Sequence, residues 1–168
     1  MNWEVLLFTI MKKYSIQAVL EGKVKRKMEE NKKTIDVTAL GELLVDFTMN
    51  GQSEQGNLIF EACPGGAPCN VLAFLQKMEK KTAFIGKVGN DQFGKMLKET
   101  IEEAGINASN LIFDNQVNTT LAFVHTFENG DRDFSFYRNP GADMMLTAAE
   151  INEETIIQSK IFHFGTLS

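Results

Sequence analysis

The sequence predicts an α/β protein built on a parallel sheet with flanking helices. Three observations support this prediction. Apolar residues of 71–78 recur at helical spacing directly after a glycine-rich loop. Residues 82–88 then have the composition of a buried strand, and residues 93–104 again show helical spacing. Because strand and helix alternate, we expect the strands to lie parallel in right-handed βαβ units.

The composition indicates a globular protein with a core of its own. The chain has 168 residues, of which 43% are hydrophobic and 23% are charged, as is usual for soluble domains. A formal net charge of −5 argues against a nucleic-acid-binding surface, which needs a basic stripe. Cys63 and Cys69 are too few for a disulfide framework and have no histidine nearby for a zinc site. We therefore expect reduced thiols in a cytoplasmic protein.

Residues 1–33 differ in composition from the rest of the chain. A short apolar run at 5–11 precedes Lys12 and Lys13, which is the wrong order for a signal peptide, and no segment is long enough to cross a bilayer. The basic cluster at 23–33 could contact a nucleic acid or a membrane surface. It is more simply part of a disordered leader, since termini without a core are usually loose.

Two extended segments follow the leader. Residues 34–40 are rich in β-branched and apolar residues and end at a glycine, which predicts a buried strand. Residues 43–49 continue extended, with Asp46 among apolar neighbours. A carboxylate there must find hydrogen-bond partners or lie at a rim, so Asp46 either caps a turn or binds a ligand. Residues 50–51 signal a turn, and 58–62 predict a short returning strand.

A loop with two adjacent glycines, Gly65 and Gly66, precedes the first predicted helix. Without side chains these residues leave the backbone open to close approach. Pro68 suits a first helical turn, whose free N–H groups, together with the Asn70 amide, can hold hydroxyl, carboxylate or phosphate oxygens. A plain turn between loop and helix is the alternative. The predicted buried face of this helix consists of Val71, Phe74, Leu75 and Met78.

The strand at 82–88 leads into a second predicted helix. Gly86 and Lys87 do not belong to a Walker A loop, because no Ser or Thr follows the lysine and the upstream glycine is missing. Asp91 is a good N-cap for the helix, and Gly105 stands at its C′ position. The predicted apolar face of this helix consists of Phe93, Leu97, Ile101 and Ala104.

A short strand at 111–113 is followed by a hairpin pattern. Residues 120–127 and 133–138 flank Asn129-Gly130, a strong hairpin signal. An isolated hairpin is marginal in water, so its aromatic face must pack on the domain, on a second subunit or over a ligand. A two-residue turn at this point would pair Phe123 with Phe136, His125 with Phe134, and Leu121 with Arg138.

The last part of the chain has simpler signals. Residues 139–143 form a loop by composition. Thr147 and Glu150 have the spacing of a capping box, and 161–165 predict a further strand.

Four motifs together resemble one protein family. Two of them resemble the N-terminal signature of the ribokinase-like (PfkB-type) carbohydrate kinases: Gly65-Gly66-Ala67-Pro68-Cys69-Asn70 and Gly86-x-x-Gly89-Asn90-Asp91-x-x-Gly94. Two more look like the fructokinase branch: Gly41-Glu42-Leu43-Leu44-Val45-Asp46-Phe47 and Arg138-Asn139-Pro140-Gly141-Ala142-Asp143. Their order and spacing extend the resemblance from about residue 35 to residue 168.

The resemblance implies a ribokinase-like sheet within residues 34–168, with a small β-lid whose strands lie near 43–62 and 120–138. It implies transfer of the γ-phosphoryl group of ATP, with Mg²⁺, to a sugar hydroxyl, and fructose is the expected sugar. Family members begin a few polar residues before their first strand, where Met28 stands here, so residues 1–27 are expected to be an extension that the fold does not need. The implied substrate-binding residues are Asp46, Gly65, Gly66, Asn70, Phe123 and Arg138.

Chemistry gives three of these residues distinct expected roles. Asp46 would accept hydrogen bonds from sugar hydroxyls. Phe123 would pack on the C–H face of a sugar, and Arg138 would donate to its oxygens in a fixed fork. Phe134 is expected to pack on the domain or on a second subunit.

The sequence departs from the family in one respect. The second-half signature Asp-Thr-x-Gly-Ala-Gly-Asp, which supplies the catalytic base and most of the nucleotide pocket, does not occur in it. We therefore expect this chain to supply the sugar site and the lid, with the C-terminal half absent. It would hold no catalytic residue and no metal, and it would bind neither ATP nor Mg²⁺ strongly on its own.

Several alternatives stay open at this level. The sugar could be ribose or a sugar acid such as 2-keto-3-deoxygluconate, since Arg138 suits a carboxylate as well as a hydroxyl. The chain could also be a truncated, non-catalytic sugar-binding relative. A generic dinucleotide-binding domain is disfavoured because no G-x-G-x-x-G follows the first strand. A homodimer formed through the lid is a further expectation from the resemblance.

Overall fold

The computed structural model describes residues 33–127 and 129–165, which form two four-stranded sheets with helices. The strands are β1 Ile35–Leu40, β2 Leu44–Gln52, β3 Leu58–Gly65, β4 Thr82–Gly89, β5 Asn107–Asp114, β6 Leu121–Thr126, β7 Arg132–Tyr137 and β8 Ser159–Phe164. The α-helices are α1 Ala67–Lys77, α2 Gln92–Glu103 and α3 Glu153–Ile157, and short 3₁₀ helices span Ala142–Met145 and Ala148–Glu150. Of the helices within those residues, none has the length and apolarity that a membrane crossing requires.

The larger sheet is parallel throughout, in the order β5-β4-β1-β8, which confirms the predicted parallel α/β architecture. Its two faces carry separate cores. On one face Val37 and Phe84 pack with Leu72 of α1 and Leu97 of α2. On the other face a second cluster is formed by Leu40, Ile85, Leu146 and Ile151. Side chains of a strand alternate between faces, so the near-continuous apolar runs of β1 and β4 are those of strands covered on both sides.

The smaller sheet has the order β3-β2-β6-β7 and is the predicted β-lid. Strand β2 is antiparallel to β3 and parallel to β6, and β6 is antiparallel to β7. The turn predicted at 50–51 lies further along the chain, because β2 continues through an irregularity between Met49 and Gln52. The turn is closed instead by Ser53, whose N–H donates to Asn57 O at 2.8 Å.

The hairpin register differs from the prediction by one residue. Phe123 pairs with Ser135, and Phe136 pairs with Ala122. The predicted two-residue turn is wrong: the Phe127 N–H donates to Asp131 O at 2.9 Å, so the connection is longer than Asn129-Gly130. Because the side-chain period of a strand is two, this change moves Phe123 and Phe136 to opposite faces of the lid.

Helix α1 has Pro68 in its first turn, as predicted, but it ends at Lys77, one residue before the predicted Met78, and it buries a different face. Pro68 lies in its first turn, and the buried side chains are Pro68, Cys69 and Leu72. Val71, Phe74 and Met78, expected in the core, are 40%, 64% and 52% exposed. The prediction was wrong because two apolar stripes run along this helix, and the one with Cys69 and Leu72 faces the sheet.

Helix α2 agrees more closely with its prediction. Asp91 is the N-cap, accepting from the Gly94 N–H at 2.8 Å, and Leu97 and Ile101 are buried. Gly105 has a positive φ of 83°, which only glycine adopts freely. Ala104, predicted on the buried face, is exposed because the helix ends at Glu103.

The predicted leader, residues 1–33, lies outside the described residues except for Lys33. The Nζ of Lys33 donates to Ile157 O at 2.7 Å and to Ser159 O at 3.1 Å. These bonds attach the start of the described chain to the turn between α3 and β8.

Candidate functional site

The lid stands at the carboxyl edge of the parallel sheet, where α/β proteins usually bind ligands. Strand β1 ends at Leu40, and a three-residue connection leads into lid strand β2. Strand β3 then returns to the edge and ends at Gly65, directly before α1. Leu44 pairs with Gly65 and Asp46 with Cys63, so the Asp46 strand lies beside the start of the helix.

Asp46 is a half-buried carboxylate on β2. Burial, and secondarily the negative charge of nearby Glu42, raise the pKa of its carboxyl group above the ordinary value. Within residues 33–127 and 129–165 no hydrogen bond to this carboxylate is formed. Its oxygens are therefore acceptors available to a ligand.

The two glycines bring the backbone close to that carboxylate. A Cβ added to Gly65 would overlap Asp46 Oδ2, so only a glycine leaves the carboxylate where it is. Gly66 has a φ of +116°, and a Cβ there would overlap the carbonyl oxygen of Glu42. Both positions therefore require glycine, for reasons of space at Gly65 and of space and conformation at Gly66.

The start of α1 is left open beside the glycines. Gly66 is the N-cap and supplies no side-chain hydrogen bond, and the first helical bond runs from the Asn70 N–H to Gly66 O at 3.1 Å. The N–H groups of Ala67 and Cys69 therefore have no partner inside the helix. The Asn70 side chain is exposed in the same turn. The structure thus brings Asp46, Gly65 and Gly66 together, with Asn70 one turn away.

Arg138 does not present the free fork expected from the sequence. Its Nη2 contacts Asp143 Oδ2 and lies 3.4 Å from Glu42 Oε2. Asp143 is 1% exposed and also accepts from Thr120 Oγ1. The buried Asp143 carboxylate therefore joins Thr120, which precedes β6, to Arg138, which follows β7. Glu42 links Arg138 to the connection between β1 and β2.

Phe123 lies on the face of the lid that is turned away from Asp46. It stacks on Phe47 with 5.0 Å between ring centroids, and Phe47 in turn meets Phe93 of α2 at 5.6 Å. Registers across the sheet align Asp46 with Ala122, and Ala122 with Phe136. The predicted placement of Phe123 with Asp46 in one pocket therefore fails on geometry. Phe136 lies on the Asp46 face of the lid, and so does Phe134, which stacks on it with 6.0 Å between ring centroids.

Sequence reasoning missed Phe136 and Glu42 as site residues. The Phe136 ring lies 5.9 Å from the Arg138 guanidinium carbon, and both line a hollow of about 490 Å³ with Asn118 and Pro140. Had the prediction assumed a hairpin connection of five residues instead of two, it would have placed Phe136 on the face of the lid opposite to that of Phe123. Glu42 stands inside the motif that contains Asp46, but nothing in the sequence indicated that it would reach Arg138.

A second charged cluster braces the same edge of the sheet. Lys87, 6% exposed, lies 2.6 Å from Glu150 and 3.5 Å from Asp114 and donates to Met145 O at 3.2 Å. The Gln116 N–H, with smaller help from Val117 and Lys87, lowers the pKa of Asp114 despite partial burial.

Two further carboxylates at this edge also have lowered pKa values. Burial alone would raise the pKa of Glu150, but hydrogen bonds from Lys87 and Thr147 outweigh it and lower the pKa. Burial also opposes ionisation of Asp91, but the N–H groups of Thr119 and Gly94 prevail and lower its pKa. These carboxylates are engaged in holding the structure together.

Other candidate chemistry is limited in the residues described. There, no group of three or more His, Cys, Asp or Glu side chains is placed to hold a metal ion. Cys63 and Cys69 are unpaired, and burial strongly raises the pKa of the Cys69 thiol. A raised pKa is the opposite of what a reactive nucleophile needs, so the Cys69 thiol is not such a group.

Comparisons with known proteins match this architecture. Residues 34–168 match the model of the pfkB family carbohydrate kinases. Fructokinase-2 of Oryza sativa subsp. japonica is 45% identical over 136 residues, 79% of this chain and 40% of that protein. The structure of fructokinase with bound ATP from Xylella fastidiosa has a TM-score of 0.71 at 33% identity, over 79% of this chain and 42% of that one. A putative ribokinase II from E. coli in complex with ATP and Mg²⁺ has a TM-score of 0.69 at 27% identity, over 77% and 42%.

The chain spans about 40% of the length of the curated relatives it matches. The matched region includes the parallel sheet, the lid and the glycine pair beside Asp46. The fold is that of the ribokinase-like structures. By family match, sequence identity and fold, this chain belongs to the pfkB family of carbohydrate kinases.

Proposed function

We propose that this chain forms the sugar-binding part and the lid of an ATP-dependent sugar kinase, with fructose as the sugar. One observation supports the proposal above the others: an unpartnered carboxylate, Asp46, touches a glycine that leads into an open helix start. The relatives it resembles are fructokinases, which is the reason for choosing fructose.

The proposed site binds a polyol by matching donors with acceptors. The Asp46 carboxylate accepts hydrogen bonds from two sugar hydroxyls. The N–H groups at the start of α1 and the Asn70 amide donate to sugar oxygens. Phe136 replaces Phe123 as the apolar surface for the C–H face of the ring, and this arrangement orients a hydroxyl for attack. Catalysis of phosphoryl transfer consists mostly of such positioning together with charge stabilisation.

The signature that would hold Mg-ATP is missing from this sequence, since no glycine-rich anion hole of the Gly-Ala-Gly-Asp type occurs in it. Among the described residues, no three or more His, Cys, Asp or Glu side chains are grouped around a metal position. In this proposal ATP and Mg²⁺ are therefore the cofactors of a complete kinase, and the catalytic base does not come from the residues described. Asp46 holds the sugar and does not deprotonate it.

Calorimetric titration of the 168-residue chain with fructose tests the proposal. We expect saturable binding that is lost in Gly65→Ala, because the new Cβ displaces the Asp46 carboxylate. Gly51→Ala is the matched control: nothing lies within 4 Å of its added Cβ, so fructose affinity should not change. Binding that survives Gly65→Ala unchanged would contradict the proposed site.

A coupled ADP-release assay with fructose and ATP addresses turnover. We expect no ADP release above background from this chain by itself, because the sequence lacks the Gly-Ala-Gly-Asp signature that supplies the catalytic base in the family it resembles. Robust release of ADP would contradict this part of the proposal and would favour a complete active site over a sugar-binding relative.

We also propose that the protein acts in the cytoplasm and that it forms a homodimer in which the lid of one copy packs against the lid of the other. Apolar side chains exposed on the lid support pairing, since such patches usually mark interfaces: Phe134 is 45%, Leu58 55% and Ile59 42% exposed. Sedimentation velocity of the wild type and of Leu58→Ser tests it. A wild type that remains monomeric across the concentration range would exclude pairing through the lid.

A further inference from the structure

We infer that Glu42 and Asp143 restrict this site to neutral sugars by neutralising Arg138. The inference rests on the proposed function, because it concerns the sugar that the same site accepts. It decides between fructose-like substrates and sugar acids, which the sequence alone left open.

Arg138 is held between two carboxylates and away from solvent. Its side chain is 14% exposed, that of Glu42 is 16% exposed and that of Asp143 is 1% exposed. One terminal nitrogen, Nη2, contacts both partners. An ion pair removed from water is screened little, so each carboxylate reduces what the guanidinium can offer to an anionic ligand.

The charges around the proposed sugar position are negative overall. Asp46 lies close enough to Glu42 for the charge of Glu42 to raise the pKa of Asp46. The other buried cation at this edge, Lys87, is likewise engaged by Asp114 and Glu150. A carboxylate on the substrate would meet cations that are already paired and like charges that repel it, whereas hydroxyl groups carry no such cost.

Glu42 is the partner to change, because it holds Arg138 less closely than Asp143 does. Its contact of 3.4 Å with Nη2 is the longer of the two, and its side chain is 16% exposed, against 1% for that of Asp143. The Nε of Arg138 is buried and has no hydrogen-bond partner among the described residues, so Nη2 is the atom through which both carboxylates hold the guanidinium. Glu42→Gln removes one negative charge beside it without changing the side-chain size.

Two ligands that differ in one group measure the selectivity. Fructose and 2-ketogluconate share a carbon skeleton, and the second carries a carboxylate where the first has a terminal hydroxymethyl group. Calorimetric titrations at pH 7.5 and constant ionic strength give both affinities for the wild type and for Glu42→Gln. Asp36→Asn is the matched control, because it removes the same charge at the distant amino end of β1, where Asp36 pairs with Lys160.

We expect the wild type to bind fructose at least about tenfold more tightly than 2-ketogluconate. Glu42→Gln should reduce the ratio of the two affinities by about tenfold, which corresponds to the lower end of the free energy of one charge-assisted hydrogen bond. Asp36→Asn should leave the ratio unchanged. Adding Arg138→Gln to Glu42→Gln should cancel the gain for 2-ketogluconate.

Three other outcomes of these titrations would contradict either the inference or the proposed function. Equal binding of the two ligands by the wild type refutes the inference and leaves the proposed sugar site intact, whether or not any variant folds. A folded Glu42→Gln protein with wild-type selectivity refutes it as well. If neither ligand binds the wild type, the proposed function fails and the inference fails with it.

Discussion

Gly66→Ala tests the geometry that holds the helix start against the β1–β2 connection. Gly66 has a φ of +116°, and an added Cβ would overlap the carbonyl oxygen of Glu42 and lie 3.1 Å from its carbonyl carbon and 3.2 Å from Leu43 Cα. All three atoms belong to the backbone, so no side-chain rotation relieves the contact. The connection must move as a whole, or α1 must shift.

Two costs add at this position. A residue with a Cβ at positive φ costs about 1–2 kcal/mol, and overpacking that forces a backbone shift costs about 1–3 kcal/mol. We therefore expect Gly66→Ala to lower the free energy of unfolding by about 3 kcal/mol. For a domain of this size that corresponds to a fall in Tm of about 10 °C.

Gly51→Ala separates the two costs. Gly51 also has a positive φ, +88°, but nothing lies within 4 Å of its added Cβ, so it should lose only the conformational part, about 1 kcal/mol. Urea unfolding of the wild type and both variants, followed by far-UV circular dichroism at 25 °C, gives the three free energies. Equal destabilisation by the two variants would refute the close approach of Gly66 to Glu42.

Three further predictions concern the edge of the sheet and the leader. Lys87→Met should lower the free energy of unfolding in urea by about 2 kcal/mol. This is less than the loss of a fully buried ion pair, because the partners of Lys87 reach solvent. An unchanged urea midpoint would show that the Lys87 ion pairs do not stabilise the fold. Since the pKa values of Asp114 and Glu150 are lowered by folding, their contribution to stability is complete above about pH 4.5 and is lost as pH falls through the folded values. Thermal melts from pH 7 to pH 3 should show this loss of stability as a fall in Tm. The fall in Tm should be smaller in Lys87→Met than in the wild type. Deleting residues 1–27 should leave Tm nearly unchanged, and a fall of many degrees would show that the leader supports the fold.

Local signals located several of the proposed site residues before the structure was known. Asp46 was identified because a carboxylate among apolar neighbours must find hydrogen-bond partners. Gly65 and Gly66 were identified because paired glycines before a helix leave the backbone accessible to a ligand. The structure places these three residues together. Their role in binding sugar stays a prediction.

The errors came from patterns that two arrangements satisfy equally well. The hairpin pattern fits either of two registers, and the length of its connection, set by the Phe127–Asp131 hydrogen bond, decides which aromatic residue faces Asp46. Helix α1 has apolar residues around most of its circumference, so periodicity could not select the stripe that meets the sheet.

The sequence by itself predicted the alternation of strands and helices, from which the parallel sheet follows, and the glycine pair before the first helix, because these signals lie in residues close together in the chain. The lid was implied by the resemblance to the carbohydrate kinases. Only the tertiary structure decided which aromatic side chains share a face of the lid with Asp46 and what Arg138 contacts. Glu42 and Arg138 are 96 residues apart in the chain, and their ion pair depends on where the sheet and the lid place the two backbones. The charge available to a substrate is therefore a property of the fold, which no local sequence pattern records.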